Sequence, residues 1–170
     1  MNKTVRVALV ALLCVGAAAC SKKQEVKPQP AAPEQTAAPA PAPMNNGMFT
    51  PWDLEHNACL RQRVIYFDFN VANIKPEFQQ IIACHAKYLQ DRPTARMRLE
   101  GNTDERGTSE YNLALGEQRA NAVASAMEAD GASASQITVI SYGKERPVCR
   151  EHNETCWSKN RRVDIVYTAE

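Results

Sequence analysis

Residues 101 to 123 constrain the fold of this chain most, because they set a charged turn directly ahead of a long helix. Ahead of them, Ala95 to Glu100 alternates polar and apolar as a half-buried strand does. Gly101 and Gly107 bracket a turn, Ser109 suits an N-cap, and helix formers then run without interruption until Gly131 supplies a stop. Asn112, Leu115 and Arg119 fall at i, i+3 and i+7 and so share one face. If the helix packs back on its strand, that face looks toward Asp104 across the turn. A carboxylate and a guanidinium on either side of a helix N-terminus make a receptor for a small zwitterion.

Around this unit the chain reads strand, helix, strand, helix, strand, short helix, strand. Val64 to Phe69 is the first strand, and Pro76 opens a helix that runs to Leu89 and is closed by Pro93. Ile137 to Ser141 and Val163 to Tyr167 supply the last two β-rich runs. The expected fold is an α/β (α+β) sandwich, βαβαβ(α)β, with its helices on one face of a four-stranded mixed sheet.

The helix pattern Asn112-x-x-Leu115-x-x-x-Arg119-Ala120-x-x-Val123 resembles that of the peptidoglycan-binding domain shared by outer membrane protein A and peptidoglycan-associated lipoproteins. Three further stretches extend the resemblance over most of residues 60 to 168: Val64-Ile65-Tyr66-Phe67-Asp68-Phe69, Ser141-Tyr142-Gly143-Lys144-Glu145-Arg146-Pro147, and Trp157-Ser158-Lys159-Asn160-Arg161-Arg162-Val163. With Thr103-Asp104-Glu105-Arg106-Gly107-Thr108 they look like the lipoprotein branch, usually called Pal. The resemblance implies that Asp104 and Arg119 hold the ammonium and the carboxylate of meso-diaminopimelate in the peptidoglycan stem peptide. Asn102, Arg106, Leu115, Phe69 and Asn70 are the further expected contributors, with a core role as the alternative for Leu115. Asn70 stands where this branch commonly has aspartate, so the ligand ammonium has one negative partner fewer. Asp68 is expected to be structural, Trp157 to pack on the core, and one of Arg161 and Arg162 to pair with a loop acid while the other faces the wall or a protein partner. Replacing Arg119 by alanine is expected to abolish binding and leave the fold intact. The branch also engages a TolB-like periplasmic propeller protein. A related lipoprotein of the same fold, anchoring a different envelope complex, is the alternative.

Residues 1–19 have the order of a secretory signal, with Lys3 and Arg6 ahead of an apolar run too short to span a bilayer. Ala17-Ala18-Ala19 then meets Cys20, which looks like a lipobox with Ala17 where leucine is usual. Cys20 is thus the expected lipidation site, and Ser21 fits sorting to the outer membrane with the domain facing the periplasm. Simple cleavage that leaves a soluble periplasmic protein is the other outcome. Residues 20–52 form a Pro/Ala-rich tether with a reach on the order of 90 Å when extended, and residues 53–170 form the domain. Removal of the signal leaves 18 basic against 19 acidic residues, which gives no footprint for nucleic acid.

Cys59, Cys84, Cys149 and Cys156 remain in an oxidising setting. Of three possible pairings, Cys149 with Cys156 and Cys59 with Cys84 are favoured. A zinc site drawn from His56-x-x-Cys59 or Cys149-x-x-His152-x-x-x-Cys156 is the competing use of these residues. A wall hydrolase would need Glu100, Asp104 or Glu105 as acid and base, and no residue reads as a nucleophile with a positioned base. No enzymatic activity and no cofactor are expected.

Overall fold

The structure, a computed structural model, describes residues 47–170. The signal segment, Cys20 and most of the tether lie outside the described residues. Packing begins at Phe49, a few residues ahead of the expected boundary at Asp53: its amide donates to Asp91 and its ring lies against the core.

Four strands, β1 (Val64–Tyr66), β2 (Arg96–Asn102), β3 (Ile137–Gly143) and β4 (Arg162–Ala169), form one sheet in the order β1-β4-β2-β3. β4 is antiparallel to both β1 and β2, and β2 runs parallel to β3, so the sheet is mixed. A short helix, α1 (Asp53–His56), precedes β1, and α2 (Gln79–Asp91), α3 (Ser109–Ala129) and α4 (Glu154–Asn160) lie between successive strands. Parallel strands cannot be joined by a tight turn, and α3 supplies the crossover. Ile82, Ala86 and Leu89 of α2 and Val123 and Met127 of α3 meet Met97, Leu99, Val163 and Ile165 of the sheet in one buried core.

β1 is shorter than its sequence suggests. After Phe67, whose amide still bonds the Arg161 carbonyl, the chain leaves the sheet, and Asn70 takes a left-handed backbone with φ 59°. Asparagine tolerates that region better than other side chains with a Cβ. Phe67 and Phe69 therefore do not share a face: the first is buried in the core and the second is 56% exposed.

Where β2 meets α3 the two backbones touch. A Cβ on Gly101 would overlap the Gly116 carbonyl, and one on Gly116 would run into the Ser141 hydroxyl. Only glycine at both positions lets the helix lie this close to the strand. The N-cap of α3 is Thr108 rather than Ser109; its hydroxyl accepts from the Tyr111 amide, while Ser109 Oγ donates to Glu145. Gly131, at φ 97°, follows the end of the helix as expected.

Both favoured disulfides are present, Cys59–Cys84 across a separation of 25 residues and Cys149–Cys156 across 7. Neither zinc set drawn from the sequence retains its thiolates.

Candidate functional site

The tight approach of α3 to β2 brings the first turns of that helix beside the 103–107 loop and the chain that leaves β1. Between them is a cleft of about 130 Å³, lined by Phe69, Asn70, Thr103, Asp104, Arg106, Gly107, Tyr111, Asn112, Leu115 and Arg119. Six of the seven expected residues meet there. Leu115 lines the cleft and stands outside the main core.

Asn102 is the exception. Its side chain turns away to the Glu100 carbonyl and to Asp164, because alternation along β2 puts it on the opposite face from Gly101. Its backbone carbonyl still serves the site by accepting from Arg119 Nη1 at 3.1 Å. Tyr111 was not anticipated, although Tyr111, Leu115 and Arg119 at i, i+4 and i+8 carry the signal for one helix face. Its hydroxyl bonds Asn70 Oδ1 and spans the mouth of the cleft.

Arg119 is wholly buried, with Nε on the Val71 carbonyl at 2.9 Å and Nη2 on the Asp68 carbonyl at 3.0 Å. Its three carbonyl partners make it a strut between α3, β2 and the chain after β1, which argues against the expectation that its removal would spare the fold. It forms no ion pair among the described residues. Burial, with the nearby charge of Arg161, lowers its pKa to about 10.

Asp104, only 3% exposed, is fully engaged. One oxygen accepts from the backbone amide and Nε of Arg106, and the other from Arg106 Nη2 at 2.6 Å and Arg161 Nη1 at 3.2 Å. Burial alone would raise its pKa, but the bonds from Arg106 and Arg161 outweigh that and hold it below the ordinary carboxylate range. The Arg106 guanidinium lies between two rings, 4.0 Å from the centroid of Phe69 and 4.2 Å from that of Trp157. Trp157 therefore packs on this arginine and not on the core, because α4 lies beside the cleft.

Arg161 is the arginine that serves the loop acid. Arg162 is not a free surface group: it is buried and pairs with Asp164 at 3.0 Å. Asp68 pairs with Lys75, as a structural role requires. The carboxylates considered for hydrolysis are likewise committed, Glu100 to Arg98 and Glu105 to His152 and the Trp157 indole.

A four-stranded mixed sheet crossed by two long helices, with an arginine-floored cleft at the start of the second, defines a small α/β sandwich domain of open-sheet type. The chain belongs to the OmpA family, whose profile matches residues 66–161, and within it groups with the peptidoglycan-associated lipoproteins. It is 39% identical to the peptidoglycan-associated lipoprotein of Haemophilus influenzae over 98% of this chain and 100% of that one. With the protein of the same name from Pasteurella multocida it shares 46% identity over 63% of this chain and 71% of the other. Among solved structures, the peptidoglycan-associated lipoprotein of Burkholderia pseudomallei matches 67% of this chain and 98% of its own, with 45% identity and a TM-score of 0.66. The C-terminal domain of Helicobacter pylori MotB, at 23% identity and a TM-score of 0.58, covers 63% of this chain and 84% of its own and shares the fold.

Proposed function

We propose that this protein is an outer-membrane lipoprotein, anchored through lipid on Cys20, whose periplasmic domain binds diaminopimelate-type peptidoglycan non-covalently and links membrane to wall. The observation that carries the reading is Arg119, a buried guanidinium on the floor of an open cleft with no carboxylate of its own. Three of its five N–H groups are used by backbone carbonyls. The other two have no bond among the described residues, and a carboxylate from outside that reached them would neutralise a charge that burial disfavours. A carboxylate at the end of the stem-peptide side chain suits that place. The side chain of lysine-type peptidoglycan ends in an ammonium alone and would leave the arginine unpaired.

The ligand ammonium falls to Asp104, which is acidic enough to remain charged throughout the physiological range. The ammonium would share that carboxylate with Arg106, whose side chain is partly exposed, and would also donate to the amide oxygen of Asn70. Phe69, Tyr111 and Leu115 would cover the methylene chain between the two charged ends. One such site need not bind tightly, since many copies tethered in one membrane hold the wall through avidity.

The names of the relatives support association with peptidoglycan. We further propose that the protein is the Pal part of a Tol-Pal system, acting in envelope integrity and cell division with a TolB-like periplasmic partner. Co-sedimentation with purified sacculi tests the central claim: the protein should pellet with diaminopimelate-type walls and stay in solution with lysine-type walls. Capture of a TolB-like propeller by the purified protein tests the partner, and its absence would favour a lipoprotein that serves another envelope complex.

A further inference from the structure

The two disulfides stand in different surroundings. Cys59 and Cys84 pack against the main core, whereas neither Cys149 nor Cys156 is part of it. The Cys149–Cys156 bridge instead closes the segment that leads into α4, with its Cα atoms 5.0 Å apart. Asn160 seals the same loop from the far end of α4: its Oδ1 accepts from the Val148 and Cys149 amides and its Nδ2 donates to the Cys149 carbonyl.

This closed segment grips the loop that carries Asp104. His152 Nδ1 and Trp157 Nε1 both meet Glu105 Oε1, at 2.6 and 2.7 Å. Glu154 lies 3.8 Å from Arg106 and also pairs with Arg161, and the Trp157 ring covers one face of the Arg106 guanidinium. Glu105 thus owes both of its side-chain partners to the segment, and Arg106 owes it one of its two rings.

We infer that the Cys149–Cys156 bridge is a positioning element of the cleft: it holds His152, Glu154 and Trp157 where they fix the Asp104–Arg106 pair, and its loss weakens ligand binding while the core persists. This rests on the proposed wall-peptide site. Supporting contacts one layer behind a ligand commonly set its affinity by tenfold or more, because they fix the groups that touch it.

The test compares Cys149→Ser/Cys156→Ser with Cys59→Ser/Cys84→Ser in the full chain, reading two signals. The first is calorimetric affinity for a diaminopimelate-containing stem peptide. The second is the NMR resonance of the Arg106 Nε–H, which two ring faces at this distance shift strongly. The Cys149/Cys156 variant should bind about tenfold more weakly and lose the ring shift while unfolding cooperatively. The other variant should melt earlier, yet bind as wild type below its melting temperature. Unchanged affinity with an unchanged Arg106 resonance would overturn the inference. Failure of the wild type to bind at all counts against the wall-peptide reading, and the Arg106 resonance still decides the positioning claim. Should the Cys149/Cys156 variant not fold, Trp157→Phe, which keeps a ring over Arg106, must bind within about threefold of wild type, and Trp157→Ala must reproduce the tenfold loss; equal binding by both contradicts the claim.

Discussion

Nε of Arg119, in the middle of α3, donates to the carbonyl of Val71 in the chain that leaves β1, at 2.9 Å. The side chain that floors the cleft therefore also fastens one of its lips. Arg119→Ala would strip the partners from that carbonyl and from those of Asp68 and Asn102. We predict a loss of about 3 kcal/mol in urea unfolding, together with loss of binding, since buried or half-buried acceptors left unpaired carry their full desolvation cost. Arg119→Lys should recover little of either, because one ammonium cannot replace a planar fork held at three points.

His85 is buried between the Tyr167 hydroxyl at 2.8 Å and the Gln62 carbonyl at 3.0 Å. The carbonyl can only accept, so Nε2 carries the proton and Nδ1 accepts from the tyrosine. Burial lowers the pKa from 6.5 to about 4, so between these values the unfolded chain binds a proton that the folded one does not. Stability is therefore present in full above pH 6.5 and falls as pH drops toward 4, by about 3 kcal/mol from this group. Urea midpoints across that range should show the slope in wild type and a flatter line in His85→Gln. The Asp104 pKa is lowered too, but because bonds from Arg106 and Arg161 favour its charged form, so its contribution is present above the ordinary carboxylate pKa and is lost only at still lower pH as the carboxylate protonates.

Gly101→Ala should separate helix from strand. The new Cβ meets the Gly116 carbonyl, a backbone atom that cannot rotate aside. We expect a destabilisation of about 2–3 kcal/mol. Peptide affinity should also fall, because Tyr111, Leu115 and Arg119 all ride on α3. Stability loss with undiminished affinity would show that the cleft tolerates a shift of this helix.

Asn70 offers a gain of function. Its left-handed backbone makes Asn70→Ala costly by about 1 kcal/mol, whereas aspartate accepts the same conformation. A carboxylate at the mouth of the cleft adds a charged acceptor for the ligand ammonium, and Asn70→Asp should bind the stem peptide more tightly by about 1 kcal/mol, or roughly fivefold. Competition between the two proteins for limiting sacculi would measure the difference directly.

The order of strands and helices was legible because β-branched runs, Pro76, Gly107 and Gly131 punctuate the sequence. The end of β1 was not, since Phe67 and Phe69 look alike in one dimension and only the turn at Asn70 sends them apart. Spacing brought Asn112, Leu115 and Arg119 together, because i, i+3 and i+7 define a helix face without any tertiary knowledge. It did not foresee that Arg119 would be held by three backbone carbonyls, or that Asp104 would already be saturated by Arg106 and Arg161. The bonds of Arg119 to Val71 and Asp68 and of Arg161 to Asp104 join residues 48 to 57 positions apart, and no local period encodes them. The position of α4 beside the cleft, which no local pattern shows, gives Trp157 an arginine to cover in place of the core.

Calorimetric titration of the purified protein with a diaminopimelate-containing stem peptide, set beside its lysine counterpart, tests the central claim most directly. Arg119 needs a carboxylate and Asp104 an ammonium on one ligand side chain, so saturable binding of the first peptide and no heat from the second are predicted. Equal binding of both, or of neither, would contradict the account.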